Sequence, residues 1–209
     1  MKNLKLIFLG LGCMTALCLT SCLEDNDNDN TGLSKEDITR CYKAVLGNYS
    51  GKLLFSATNP KDVYDVMDTL EVQWTVNADT VLLIKDFPAT ALVEQVRNTE
   101  LREALQEQNP VKDISCYMVF TAFKDSYIQF ALGPQKIDFP VFYKEATHTL
   151  SIYFWANGSS FGEKDTATGD MILRLIVGAA YLDNDSSYNY ITDYSTDTAT
   201  IPIYFTTTL

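Results

Sequence analysis

Leu70-Glu71-Val72-Gln73-Trp74-Thr75-Val76 alternates apolar and polar side chains without a break. In an extended chain that puts Leu70, Val72, Trp74 and Val76 on one face and Glu71, Gln73 and Thr75 on the other. A helix turns about 100° per residue and would scatter the same four apolar groups around its circumference. The stretch is therefore a half-buried strand. Asn77-Ala78-Asp79 supplies turn residues, and Thr80-Val-Leu-Leu-Ile-Lys-Asp-Phe87 returns, so residues 70–87 form a hairpin that Pro88 stops. Further strands are expected at 49–56, 114–123, 126–132, 137–143, 149–156, 171–182 and 200–206, where Phe, Tyr, Val and Ile dominate. Many short strands separated by turn clusters imply a mainly β (α+β) domain, an antiparallel sandwich or barrel.

Two helical stretches interrupt this pattern. Ser34 is a suitable N-cap, Glu36 and Asp37 suit a helix N-terminus, and Ile38, Cys41, Tyr42 and Val45 follow helical spacing up to Gly47. Ala89 to Gln108 carries a stripe of Leu92, Val93, Val96, Leu101, Ala104 and Leu105, with Asn98-Thr99 placed to break it into two helices. The expected fold thus has an N-terminal helix and one helical insertion. "ANGSSFGEKDTATGD" and "DNDSSYNYITDYSTD" read as loops.

Lys2 and Lys5 precede an apolar run from Leu6 to Leu19. A helix of that length rises about 21 Å, short of the roughly 30 Å of bilayer hydrocarbon. Residues 1–21 therefore read as an export signal. Leu19-Thr20-Ser21-Cys22 resembles the lipobox of bacterial lipoproteins. The resemblance implies diacylglyceryl transfer to Cys22, cleavage before it and acylation of the new amine. More than one acyl chain gives stable anchoring to a membrane. Residues 22–33, rich in Asp and Asn, then form an acidic tether too polar to order itself, and 34–209 forms one domain. Glu24 and Asp25 behind the lipidated cysteine resemble the surface-export signal of Bacteroidetes lipoproteins. The implied location is the outer membrane at the cell surface, with the periplasmic face as the alternative.

Loss of Lys2 and Lys5 with the leader takes the formal charge from −11 to −13. Such a surface lacks the basic footprint that nucleic acid requires. Cys13 and Cys18 leave with the leader and Cys22 is acylated, so Cys41 and Cys116 remain. An exported chain can bridge them; the alternative is two separate buried thiols.

Residue types that carry chemistry are sparse. His148 is the single histidine and sits in "EATHTLS", read as a solvated turn before a strand. It would have to carry any Ser-His-Asp or Cys-His site. No zinc-binding spacing, phosphate cradle or nucleophile elbow is present, so no metal or cofactor is expected. Asp62, Asp65, Asp68 and Glu71 offer carboxylates for glycoside hydrolysis, although acidic clusters are usual in so acidic a chain. Asp183, Asp185 and Ser187 match the start of a calcium loop, but Tyr188 and Tyr194 stand where Gly and Glu are needed. The stronger signal is aromatic. Tyr153 and Trp155 share one face of a strand, and Tyr188 and Tyr190 cluster in a late loop. Such rings can stack a sugar or hold a partner, or simply pack.

Two further resemblances bear on the reading. The helix leading into Gly47-Asn48-Tyr49-Ser50-Gly51 resembles the entry to lipocalin-like barrels, where Gly-x-Trp opens the first strand; here Tyr49 replaces the Trp. Residues 33–209, through "LSKEDITRCYKAVLGNYSGKLLF", "IKDFPATAL" and "GAAYLD", resemble a Bacteroidetes lipoprotein family catalogued as a domain of unknown function. Asp-Thr before an apolar or small residue resembles the O-glycosylation sequon of exported Bacteroidetes proteins, which implies Thr69, Thr80, Thr166 and Thr198 as acceptors. The expected function is a non-catalytic envelope module that binds a glycan or an envelope protein, or serves structurally. The alternative is a carboxylate-dependent glycan hydrolase.

Overall fold

The computed structural model describes residues 32–56, 67–79, 81–156, 158–191 and 202–207. From Leu33 onward they belong to one compact unit. Helix α1 (Lys35–Val45) begins where expected: the Ser34 hydroxyl accepts the Asp37 amide at 3.1 Å. Leu46 ends the helix in extended backbone, and Gly47 follows at φ +145°, a conformation other residues rarely adopt.

Eight antiparallel strands close into a barrel in the order β1-β11-β9-β8-β5-β4-β3-β2. They are β1 (Gly47–Ser56), β2 (Met67–Val76), β3 (Val81–Pro88), β4 (Val111–Phe123), β5 (Tyr127–Pro134), β8 (Phe161–Asp165), β9 (Met171–Leu175) and β11 (Ile203–Thr206). Of the sandwich and barrel alternatives, the barrel is the one adopted. The alternation in β2 holds from Val72 onward: Val72, Trp74 and Val76 are buried, while Glu71 and Gln73 are exposed; Leu70, expected on the inward face with them, is exposed instead. Leu53, Trp74, Leu82, Phe130, Leu173 and Phe205 are among the inward residues with no exposure, so side chains fill the interior, as eight strands allow.

Glycine makes this closure possible. A Cβ on Gly51 would sit 2.0 Å from the Thr206 carbonyl, where β1 meets β11. A Cβ on Gly162 would sit 2.1 Å from the Phe130 ring. Tyr49 stacks on Trp74 at 5.8 Å and 11°, and its hydroxyl donates to Val45 O at 2.6 Å. The Lys164 ammonium donates to Ala44 O at 2.9 Å and to the Tyr49 hydroxyl at 3.1 Å. Two carbonyls at the C-terminus of α1 are thereby satisfied, one of them by a cation.

A second, three-stranded sheet has the order β10-β7-β6, from β6 (Ile137–Tyr143), β7 (Ala146–Phe154) and β10 (Val177–Leu182). Residues 171–182, expected as one strand, divide at Ile176 between barrel and small sheet. Buried Ser160 secures that division: its hydroxyl donates to Trp155 O at 2.5 Å and accepts the Ile176 amide at 3.2 Å. The helical insertion breaks where Asn98 predicts. A 3₁₀ segment (Ala89–Gln95) is followed by α2 (Thr99–Gln108), with the Asn98 side chain accepting the Leu101 amide. β8 lies in a stretch expected to be a loop. Gly162 hides it, because it occupies an inward position without an apolar side chain.

Cys41 and Cys116 are both buried and free. The bridged alternative is corrected to two separate thiols; burial raises the Cys41 thiol and pushes the Cys116 thiol far above the ordinary thiol value.

Candidate functional site

A hairpin turn and the turn that follows β10 meet at one end of the small sheet. Tyr143-Lys144-Glu145-Ala146 joins β6 to β7 with φ +48° at Lys144 and +65° at Glu145. Leu182-Asp183-Asn184-Asp185 follows β10 with φ +50° at Asp183 and +61° at Asn184, closed by the Asp185 amide donating to Leu182 O at 2.8 Å. Two consecutive positive φ values define the type I′ turn, whose twist suits antiparallel strands. Asp and Asn tolerate that backbone. Lys and Glu adopt it at a cost of about 1–2 kcal/mol per residue.

His148 on β7 ties the turns together. Its Nδ1 lies 2.6 Å from Asp183 Oδ2, and the Thr149 amide donates to Asp183 Oδ1 at 2.8 Å. The Thr149 amide first, and His148 second, hold the Asp183 carboxyl below its usual range. An ionised carboxylate only accepts, so Nδ1 carries the proton and donates. Nε2 is the nitrogen left for a ligand. Expected as a solvated turn residue, His148 is instead a half-buried strand residue with a carboxylate partner.

The loop after β10 supplies the opposite wall. The Tyr190 amide donates to Ala180 O at 2.8 Å, and the Arg97 amide donates to Tyr190 O at 2.9 Å. Asn189 Oδ1 accepts the amides of Ala180 and Ile191, both at 3.0 Å. These bonds lay the loop along the β10 edge and fix the Tyr190 backbone. The Tyr188 and Tyr190 rings stand 4.7 Å apart at 79°, forming a corner. Burial, then Tyr143 and Tyr188 nearby, push the Tyr190 phenol up. Asp185 accepts the Ser187 amide at 2.9 Å, and its carboxyl is held low by Ser187.

Between the walls lies a cleft of about 530 Å³ lined by Tyr143, Lys144, Ala146, His148, Leu182, Asp183, Asp185, Tyr188 and Tyr190. The Tyr143 ring meets His148 edge-on at 5.9 Å, and its hydroxyl donates to Asn98 Oδ1 at 3.3 Å. The Lys144 ammonium sits 5.1 Å from the Tyr143 ring centroid and 3.9 Å from Glu100 of α2. Tyr143, followed by Glu100, raises the Lys144 pKa. Aromatic faces, one imidazole, one ammonium and two carboxylates can hold a small polar ligand with one flat or cationic part.

The four aromatics singled out in the sequence divide between two places. Tyr188 and Tyr190 are in the cleft. Tyr153 and Trp155 lie on the outward face of the small sheet, Tyr153 edge-on to Tyr181 at 5.6 Å and the Trp155 indole against Gly178. Of the candidate acceptors, Thr69 and Thr166 are exposed, the Thr166 hydroxyl donating to Asp125 O. Thr80, Thr198 and Cys22 lie outside the described residues, as do Asp62, Asp65 and Tyr194. Glu71 is ion-paired with Lys52. Tyr143, Lys144 and the His148–Asp183 pair were missed. The available signal was "FPVFYKEATHTLSI", whose alternation on both sides of Lys144-Glu145 marks a two-residue turn.

A family model described as "Domain of unknown function (DUF4840)" matches residues 44–182. The match includes Tyr143, Lys144 and His148 and stops just before Asp183. No curated protein and no solved structure matches the chain.

Proposed function

The chain belongs to the DUF4840 family of domains of unknown function, and we propose that it is a lipid-anchored binding module of the cell envelope. In this reading its ligand lies in the cleft between the β6–β7 turn and the turn after β10, and is a glycan or a side chain of another envelope protein. One observation carries the reading: Tyr188 and Tyr190 form a right-angled aromatic corner on a backbone pinned from both sides. A loop that only packed its own tyrosines would bury them, yet Tyr188 is 49% exposed. The anchor is supported by Leu19-Thr20-Ser21-Cys22 behind the apolar run, and a surface location by Glu24 and Asp25. Thr69 and Thr166 are the exposed candidates for O-glycosylation.

Calorimetric titration of the mature chain with a panel of envelope glycan fragments tests this reading. Binding should be lost in Tyr188→Ala and Tyr190→Ala and retained in Tyr153→Ala. Loss in Tyr153→Ala alone would move the site to the outward face. Replacement of Cys22 by Ala should release the protein from the membrane fraction with its fold intact. A hydrolase remains the second reading, because His148 with its Asp183 partner is a general-base arrangement on a cleft. Fragment cleavage that disappears in His148→Ala would favour it.

A further inference from the structure

Taking the cleft as the binding site, we propose that the group it recognises is a compact organic ammonium cation, for which Lys144 is the built-in stand-in. The cation position is visible: the Lys144 ammonium lies over the Tyr143 ring at 5.1 Å. The negative face of an aromatic ring attracts such a charge. Tyr188 and Tyr190 add two faces at right angles, the start of an aromatic cage.

The surrounding charges agree. Asp183 and Asp185 line the cleft, and Glu100 of α2 lies 3.9 Å from the Lys144 ammonium. An anionic ligand would face these carboxylates. A neutral sugar would leave the ammonium on its ring. An incoming ammonium replaces Lys144 charge for charge.

Lys144 is also held loosely enough to yield. Its side chain is 64% exposed and its ion pair with Glu100 is long, at 3.9 Å, so solvent screens the attraction. The backbone beneath it is strained, with φ +48° at Lys144 and +65° at Glu145, where Asn-Gly would fit without cost. Strain kept in a turn that aims a cation at an aromatic wall is consistent with use at that place. The cleft volume of about 530 Å³ suits a small cation or the end of a lysine-like side chain.

The test is a titration of the isotope-labelled mature chain with choline chloride and with Nα-acetyl-lysine methylamide, at ionic strength matched by sodium chloride. The ring signals of Tyr143, Tyr188 and Tyr190 are followed by NMR. At least one cation should give saturable shifts of all three. Tyr190→Ala should abolish them. Lys144→Met, which removes the stand-in and keeps its stem, should tighten binding about two- to fivefold, the value of one exposed cation–π contact. Weaker cation binding in Lys144→Met would overturn the stand-in role. Shifts of the same rings by neutral methyl glycosides but not by the cations would overturn the cation assignment and leave the binding module standing. Silence of the rings to every probe would overturn the cation assignment, while the glycan panel separately decides the binding reading.

Discussion

The side-chain amide of Gln108 pairs with the backbone of Phe142 as a neighbouring strand would. Its Nε2 donates to Phe142 O at 2.8 Å, and the Phe142 amide donates to its Oε1 at 2.8 Å. β6 is an edge strand of the small sheet, and an open edge invites pairing with another chain. Pro140, which has no amide to offer, protects the same edge two residues earlier. Because β6 leads directly into Tyr143 and Lys144, this cap also steadies one wall of the cleft.

Gln108→Ala should therefore destabilise the domain by about 1 kcal/mol, the low end for two solvent-exposed hydrogen bonds. Amide exchange at Phe142 should accelerate while that at Leu53, in the barrel, stays unchanged. Denaturant melts and hydrogen exchange check both.

The two close-packed glycines should differ in severity. Gly162→Ala drives a methyl into Phe130, a ring that can shift, at a cost of about 1–3 kcal/mol for overpacking. Gly51→Ala meets the Thr206 backbone, which cannot move without opening the β1–β11 seam. The lower melting temperature should belong to Gly51→Ala.

Asp183→Asn keeps a residue that tolerates positive φ but replaces an acceptor by an amide able to donate toward His148. The proton on His148 should leave Nδ1 for Nε2, and the nitrogen shifts of the imidazole report the change. An unchanged tautomer would mean that Asp183 does not set it.

Acid should weaken the fold in a defined window. Lys85 and the Asp86 amide lower Asp113. Burial raises Asp138, but Lys136 and the Ser151 hydroxyl outweigh it. Asp165, Asp183 and Asp185 are lowered by nearby amides and side-chain partners. Carboxyls with depressed folded values stabilise the fold above their ordinary value, about 3.9. That stabilisation is lost as pH falls through the folded values. The melting temperature should be flat near neutrality and fall below about pH 4.

Much of the fold was legible because alternation dictates which residues face inward. Val72, Trp74 and Val76 entered the core as their spacing required, and Asn98 broke the helical insertion where its capping side chain implied. β8 was not legible, since a strand whose inward position is Gly162 carries no alternation. The split at Ile176 was hidden because Leu175, Ile176 and Val177 are all apolar whichever sheet they join. Tyr188 and Tyr190 stood out as a cluster. His148 and Asp183 did not, since 35 residues separate them and only the pairing of β7 with β10 brings them together.

The most direct test of the account compares tyrosine reactivity in the intact envelope with that of the purified, ligand-free protein. Tyr117 on the barrel, 58% exposed, is the internal reference, and Tyr188 at 49% and Tyr153 at 39% are the reporters. Chemical modification mapped by mass spectrometry should show Tyr188 protected in the envelope while Tyr117 and Tyr153 react as they do in the purified protein. Tyr188 equally reactive in both, with Tyr153 protected instead, would contradict the account and place the binding surface on the outward face of the small sheet.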